Sequence, residues 1–549
     1  MSRSPRPHLV ADVISLRLPD GRRLFESLTL GVANERTGIV GPNGSGKSTL
    51  LLVLAGERTP SEGRVQWNAP VAYVPQRQPR HDHVTVAALL GVADVLEAIA
   101  RTLQGDGTAE DLETIGNDWA LPERIRLSLE DVGLSHIPLD RPMSGVSGGE
   151  ATRLALAARL LGSPRVLLLD EPTNDLDAGS RAAVYAMIER WPHGMVVAAH
   201  DRALLNRMDR ILELSSGSAR WYGGNYDAYH EQVLSERHAA AAERDHAAAE
   251  LRRTRRELQA VRERKAQSDA KGRKSRSTGS QPSLVLNAAR ERSQHTSARL
   301  QETATRLVDA AQERLTEARG RLDAREPLRI ALPSTGLPAG TTVVALRDVS
   351  AGPPGAPTLL RHVDLDIVGP ARVAILGANG SGKTTLLRLL AGHGSVSSGT
   401  IHRGVPLGRV AFLDQHAAVL DGHGTILDAF VARHPRLDTT STRDALAQFH
   451  FRADAVHQRV ETLSGGERMR AALACVLAGD EPPRCLVLDE PTNHLDLDSI
   501  EQLETAIRAY DGALVVASHD ATFLEAIGVT ARIDTSDWRS GPLAGSGPA

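Results

Sequence analysis

Two stretches of this sequence have the residue types and spacing to cradle phosphate. The first is Gly41, Pro42, Asn43, Gly44, Ser45, Gly46, Lys47, Ser48 and Thr49, entered from apolar Ile39-Val40 and followed by a Leu-rich run. The second is Gly377, Ala378, Asn379, Gly380, Ser381, Gly382, Lys383, Thr384 and Thr385. Each reads as strand, loop, helix with G-x-x-x-x-G-K-[ST] at the turn. Glycines let backbone N–H groups close around phosphate oxygens, and a helix N-terminus adds favourable partial charge. Lys47 and Lys383 supply a mobile positive charge to the terminal phosphates of a nucleoside triphosphate. Ser48 and Thr384 offer hydroxyl ligands to Mg²⁺.

Further along, the apolar run Val166–Leu169 ends in Asp170-Glu171, and CLVL at 485–488 ends in Asp489-Glu490. A continuous apolar run of this length suits a buried parallel strand. A carboxylate at its C-terminal end suits Mg²⁺, which assigns that role to Asp170 and Asp489. Glu171 and Glu490 are then the candidate bases that polarise an attacking water. A lone histidine is usually structural, but His200 and His519 each end a further apolar strand at matching positions and are read as γ-phosphate contacts. Gln76 and Gln415 follow VAYVP and VAFLD and are read as bridging Mg²⁺ and water. Two turns, Ser147-Gly148-Gly149 and Ser464-Gly465-Gly466, each open an Arg/Ala/Leu-rich helix and offer a second anion site. Because the same half already owns a phosphate loop, each such turn makes sense facing the nucleotide of the other half.

All of these motifs occur twice, in the same order. Glu171 precedes His200 by 29 positions, and Glu490 precedes His519 by 29. The halves are therefore copies of one α/β domain, placed at 8–222 and 342–535, with a linker at 223–341. From Gln76 to Ser147 is 71 positions, but from Gln415 to Ser464 only 49, so the first copy carries about 20 extra residues between 77 and 146. Between the copies, Ala247, Leu251, Thr254, Leu258 and Val261 step by four and three, as do Leu300, Ala304, Leu307, Ala311, Leu315, Ala318 and Leu322. This predicts an antiparallel helical hairpin. Gly272, Gly279 and Pro282 place its tip at about 271–283. A ~40-residue arm would reach ~60 Å.

Composition narrows the partners. The chain of 549 residues has a net charge of −3, yet residues 252–276 hold eleven Lys/Arg against three Asp/Glu. A basic tip on an otherwise acidic body is the footprint of phosphate-backbone contact; a solvated charged helix is the plainer alternative. Cys475 and Cys485 sit among apolar residues with no Cys/His cluster, so both read as buried small hydrophobes. With no apolar stretch of signal-peptide or membrane-helix length, the expected place is the cytoplasm. Only 3% of residues are aromatic, so the cores must rest mainly on Leu, Val, Ile and Ala.

These motifs together resemble the ATP-binding cassette superfamily, over roughly 8–222 and 342–535. The resemblance implies ATP and Mg²⁺ as cofactors, ATP hydrolysis, and two cassettes packed head to tail. One site would use Lys47, Ser48, Gln76, Asp170, Glu171 and His200 with Ser464, Gly465 and Gly466. The other would use Lys383, Thr384, Gln415, Asp489, Glu490 and His519 with Ser147, Gly148 and Gly149. DEPTNDLD, DEPTNHLD, the fused pair, the charged linker and YGGNYDAY at 222–229 resemble the ABC-F branch. That branch lacks transmembrane domains. It implies a monomer that binds the ribosome (23S rRNA) near the tRNA exit site with its linker toward the peptidyl tRNA, tuning translation or protecting against antibiotics. Some members carry an arm where this chain has its short insertion. The superfamily usually stacks an aromatic ring on adenine ahead of the phosphate loop; here only Phe25 precedes the first loop, and no aromatic lies between 342 and 376. A soluble transporter subunit and a DNA-repair ATPase are the alternatives.

Overall fold

Strands Val166–Asp170 and Gly194–Ala198 are buried along their whole length. Continuous apolar runs take this position in a parallel sheet covered on both faces. In the computed structural model they are central to a six-stranded sheet ordered Val71–Val74, Val166–Asp170, Gly194–Ala198, Arg36–Val40, Arg210–Ser215 and Ser218–Gly223. All neighbours are parallel except the last pair. The second copy builds a five-stranded parallel sheet ordered Val410–Leu413, Cys485–Asp489, Ala513–Ala517, Arg372–Leu376 and Ala531–Asp534. The structure describes residues 7–76, 84–215, 217–277, 302–303, 305–317, 330–352, 358–422 and 424–538.

Register fixes where the chemistry emerges. Asp170 pairs with Ala198, and Ile39 pairs with Ala198 from the other side. The first phosphate loop, Asp170-Glu171 and His200 therefore leave the sheet at one edge, the carboxyl end of parallel strands, where ligands bind in open α/β sheets. Asp489 pairs with Ala517 and repeats this arrangement. A three-stranded antiparallel sheet accompanies each copy: Arg23–Val32, Leu9–Arg17 and Glu62–Trp67 in the first, and Leu360–Gly369, Thr341–Ala351 and Ser398–Arg403 in the second.

The copies differ between the sheet and the Ser-Gly-Gly turn. Among the described residues, the first has three helices there of seven residues or more, Ala93–Gln104, Ala109–Ile115 and Leu121–Asp131; the second has two, Ile426–Arg433 and Thr439–Gln448. The extra residues of the first copy thus form helix; positions 77–83 lie outside the described residues.

The first core is largely aliphatic, as the composition requires. The second gathers Phe430, Phe449, Phe451 and Phe523, four of the chain's six phenylalanines, in a single cluster. Cys475 and Cys485 are buried and free, and burial pushes both thiols up to about 12. No helix among the described residues is long and apolar enough to cross a membrane.

The chain divides into two compact units, residues 1–227 with 328–549, and residues 228–327. Within the first unit, residues 330–340 pack with the second copy: Ala331 N donates to Gln448 Oε1, and Thr335 N donates to Asp511 Oδ1. The second unit is built on the helix Tyr226–Ser277, 52 residues long and so about 78 Å at 1.5 Å per residue, with a second helical stretch over 305–317. Ala247 and Leu251 share a buried cluster with Ala311 and Leu315. Arg314 reaches Glu250 at 2.8 Å, and Arg255 reaches Gln312 at 2.9 Å. Higher positions on one helix meet lower positions on the other, so the pair is antiparallel, as the seam predicts. Gly272 does not interrupt the helix, which continues to Ser277. One interior glycine costs only about 1 kcal/mol against alanine, and its Lys and Arg neighbours are good helix formers. Residues 278–283 of the expected tip, and Leu300, Ala304, Ala318 and Leu322 of the seam, lie outside the described residues.

Candidate nucleotide sites

Each phosphate loop turns on glycine where only glycine fits. Gly41 has φ 143°, and a Cβ there would stand 2.0 Å from Leu214 O. Gly46 (φ 102°) and Gly382 (φ 104°) open the following helices in the left-handed region. Lys47 Nζ, buried, donates to Gly41 O at 2.8 Å and Pro42 O at 3.2 Å. Lys383 Nζ donates to Gly377 O at 2.8 Å and to His519 Nε2 at 2.8 Å. Burial lowers the pKa of both lysines, and the nearby carboxylates work against that shift. A charge held in this way gains most from an anion that completes its partners.

Glu171 and Glu490 occupy matching strained positions, with φ of 48° and 45° at the exit from the strand. Non-glycine residues hold such angles only where surrounding structure imposes them. Glu171 N donates to Ala198 O at 2.8 Å, and Glu490 N to Ala517 O at 2.9 Å. His200 Nε2 lies 3.3 Å from Glu171 Oε1, and His519 Nε2 lies 3.3 Å from Glu490 Oε1. Burial raises both glutamates above the usual carboxylate range, opposed by Lys47 and Lys383. Burial, then Lys383, holds His519 down at about 4, and burial lowers His200 likewise. Both imidazoles are therefore neutral around pH 7. The ATP turnover rate should accordingly show no histidine inflection between about pH 5.5 and 8. A pH–rate profile measures this, and a limb near the ordinary histidine value (about 6.5) that vanishes in His519→Gln contradicts it.

The donor sets suit Mg²⁺, which takes hard oxygen ligands. Ser48 Oγ donates to Asp170 Oδ1 at 3.1 Å, and Thr384 is hydrogen-bonded to Asp489. Gln415 lines the second site, with Nε2 3.0 Å from His416 Nε2, whereas Gln76 is exposed just past its strand. Tyr73, which the motifs do not mark, donates to Asp170 Oδ2 at 3.4 Å. Its counterpart is Phe412, so only the first site has this hydroxyl.

The two copies meet at these loops. Asn43 N donates to Asp496 Oδ2 at 3.0 Å, and Asn43 Nδ2 to His494 O at 2.9 Å. Reciprocally, Asn379 Nδ2 donates to Asp175 O at 2.9 Å. Asp496 acts electrostatically on Lys47 and His200, and Asp177 acts on Lys383 and His519. A cleft of about 470 Å³ contains Lys383, Thr384, Gln415, Asp489, Glu490 and His519, together with Asp175 and Leu176 of the first copy. The Ser-Gly-Gly turns back these crossing segments. Gly466 lies so close to Ser499 that a Cβ would meet its Oγ at 2.0 Å, and Asp496 Oδ1 accepts from Ser499 N at 2.9 Å. Ser147 and Ser464 are exposed N-caps whose hydroxyls accept from Glu150 N and Glu467 N.

Asp175, Asp177, His494 and Asp496 carried a signal in the sequence, the matched endings D-L-D at 175–177 and H-L-D at 494–496, but no motif chemistry of their own. Arg181 carried none. Its positive charge acts on Glu490 and His519, and the matching position in the other copy is Ile500. Phe25 is 1% exposed within the first core, so it is no adenine platform. Leu24 beside Gly46, and Leu359 in the second cleft, give the loops aliphatic neighbours instead.

The ABC transporter family matches this chain over residues 27–174 and 360–493. The chain belongs to the ATP-binding cassette superfamily, within it to the ABC-F branch, and is an ATP hydrolase. It is 32% identical to the tylosin resistance ATP-binding protein TlrC of Streptomyces fradiae, over 95% of this chain and 96% of that one. It is 30% identical to the energy-dependent translational throttle protein EttA of Mycobacterium tuberculosis, over 89% of this chain and 84% of that one. The solved structure of an RNase-L inhibitor shares the fold at 20% identity with a TM-score of 0.56, covering 94% of this chain and 86% of that one.

Proposed function

We propose that this chain is a ribosome-binding ATPase. Its two cassettes close head to tail on two ATP molecules, and the helical hairpin between them reaches toward the peptidyl tRNA from the tRNA exit site. The observation that carries this reading is the antiparallel hairpin, whose long helix includes the segment with a net charge of +8 over residues 252–276. Relatives named for a translational throttle and for tylosin resistance support it. The role is then to tune translation or to protect the ribosome from an antibiotic, and the short insertion of the first copy inclines the reading toward protection.

In this reading Glu171 and Glu490 take the proton of the attacking water. His200 and His519, both neutral, contact the γ-phosphate. Lys47 and Lys383 leave their loop carbonyls for the β- and γ-phosphates. Ser48, Asp170 and Gln76, with Thr384, Asp489 and Gln415 in the other site, would hold Mg²⁺, which neutralises phosphate charge when bound. Asn43 ties its loop to the His494–Asp496 turn, and Asn379 ties its loop to the Asp175–Asp177 turn, each in the other cassette, so a filled loop stabilises the closed pair. Hydrolysis removes the γ-phosphate contacts, and the pair opens.

Charge neutralisation tests the nucleic-acid part. Replacing Arg252, Arg253, Arg255 and Arg256 by glutamine should weaken ribosome binding and reduce the salt slope by about one unit per lost phosphate contact, on the order of 0.7–0.9 each. Binding measured from 50 to 200 mM salt reads this out. An unchanged slope, or equal affinity for duplex DNA and ribosomes, overturns the reading.

A further inference from the structure

The two nucleotide sites are copies, but the contact that flanks them is not. Arg202 follows His200 of the first cassette by two residues. Glu504 lies on the helix Leu497–Ala509, which Asp496 caps in the second cassette. Arg202 Nη1 meets Glu504 Oε1 at 2.6 Å, and the two side chains are only 10% and 6% exposed. Arg508 stands 3.6 Å from the other oxygen of Glu504. Buried Asp520 acts electrostatically on both partners, and Tyr226, in the first turn of the long helix, hydrogen-bonds with Arg202. One guanidinium thus joins the segment after His200, the helix after Asp496 and Tyr226.

The matching positions across the pair are Ala521 and Tyr185. Alanine has no charge to offer, and the Tyr185 hydroxyl donates to Asp201 inside its own cassette. The ion pair therefore has no counterpart at the matching positions: the segment after His200 makes it, and the segment after His519 does not. A buried pair adds little to equilibrium stability, but truncating one partner at an interface acts mainly on the rate of separation.

We propose that Arg202 and Glu504 form a one-sided latch that keeps the Lys47–Glu171 half of the interface closed longer than the Lys383–Glu490 half, so that the two nucleotides leave in order. This rests on the head-to-tail pairing described above. It makes Arg202 a positioning residue, since it touches neither phosphate loop.

The test follows release of radiolabelled ATP from the full chain, trapped at the first site by Glu171→Gln or at the second by Glu490→Gln. Arg202→Met should speed release from the first site by ~10-fold and change the second by less than about twofold. Glu504→Gln, nearly isosteric, should reproduce the effect, and Arg202→Lys should retain most of the native hold. Equal acceleration at both sites, or no acceleration in either variant, overturns the latch. Ser464→Arg separates the two ideas. If it leaves first-site retention untouched, the pairing itself is wrong. If it speeds release while Arg202→Met and Glu504→Gln do not, only the latch fails.

Discussion

Replacing Glu171 and Glu490 together by glutamine should lower steady-state ATP turnover by about 10²–10⁴-fold, the usual share of a positioned general base, while ATP remains bound. The reasoning starts from burial. Each carboxyl group stands at the end of a buried strand, 3.3 Å from a neutral histidine, in surroundings that disfavour its charge. Glutamine keeps the shape and removes both the basicity and the cost of burying an anion. The phosphate loops, the lysines and the Asn43 and Asn379 crossings are untouched, so the closed pair should persist. Phosphate release measures turnover, and filter retention of labelled ATP measures binding. Turnover within a few-fold of the native chain would remove these glutamates from the base role.

The second large effect comes from crossing the two cassettes. In the Glu490→Gln background only the first site turns over. Ser464→Arg, in the opposite cassette, should abolish what remains, whereas Ser147→Arg should leave most of it. An arginine at 464 places a long cation on the turn that backs His494 and Asp496, the residues that hold Asn43. It also replaces the hydroxyl that caps the helix, and losing an N-cap alone costs on the order of 1 kcal/mol. In the Glu171→Gln background the pattern should reverse. If each arginine silences the site in its own cassette, the sites are not shared and the pairing is wrong.

Much of this arrangement was legible in the sequence because local chemistry demands it. A turn at Gly41 and Gly46 must be glycine, and a strand such as Val166–Leu169 must be apolar on both faces, so the loops and acidic strand ends stand out as strings. Register then carried Asp170, Glu171 and His200 to one edge, as their repetition predicts. Three features were not legible. Tyr73 contacts Asp170 only because neighbouring strands align. Arg181 and Arg202 work across the pair, and their partners are about 300 positions away. Gly272 reads as a breaker, yet its helix continues, since propensity is weak against good helix-forming neighbours. Charge in 252–276 suggested a polyanion, but composition alone does not say which.

The central claim is that ATP closes this chain into a ribosome-binding form. The most direct measurement is sedimentation of the Glu171→Gln, Glu490→Gln double variant with purified ribosomes, with ATP and without nucleotide. The account predicts that the protein travels with the ribosome only when ATP is present. A double variant that holds ATP yet stays behind in both conditions would contradict it.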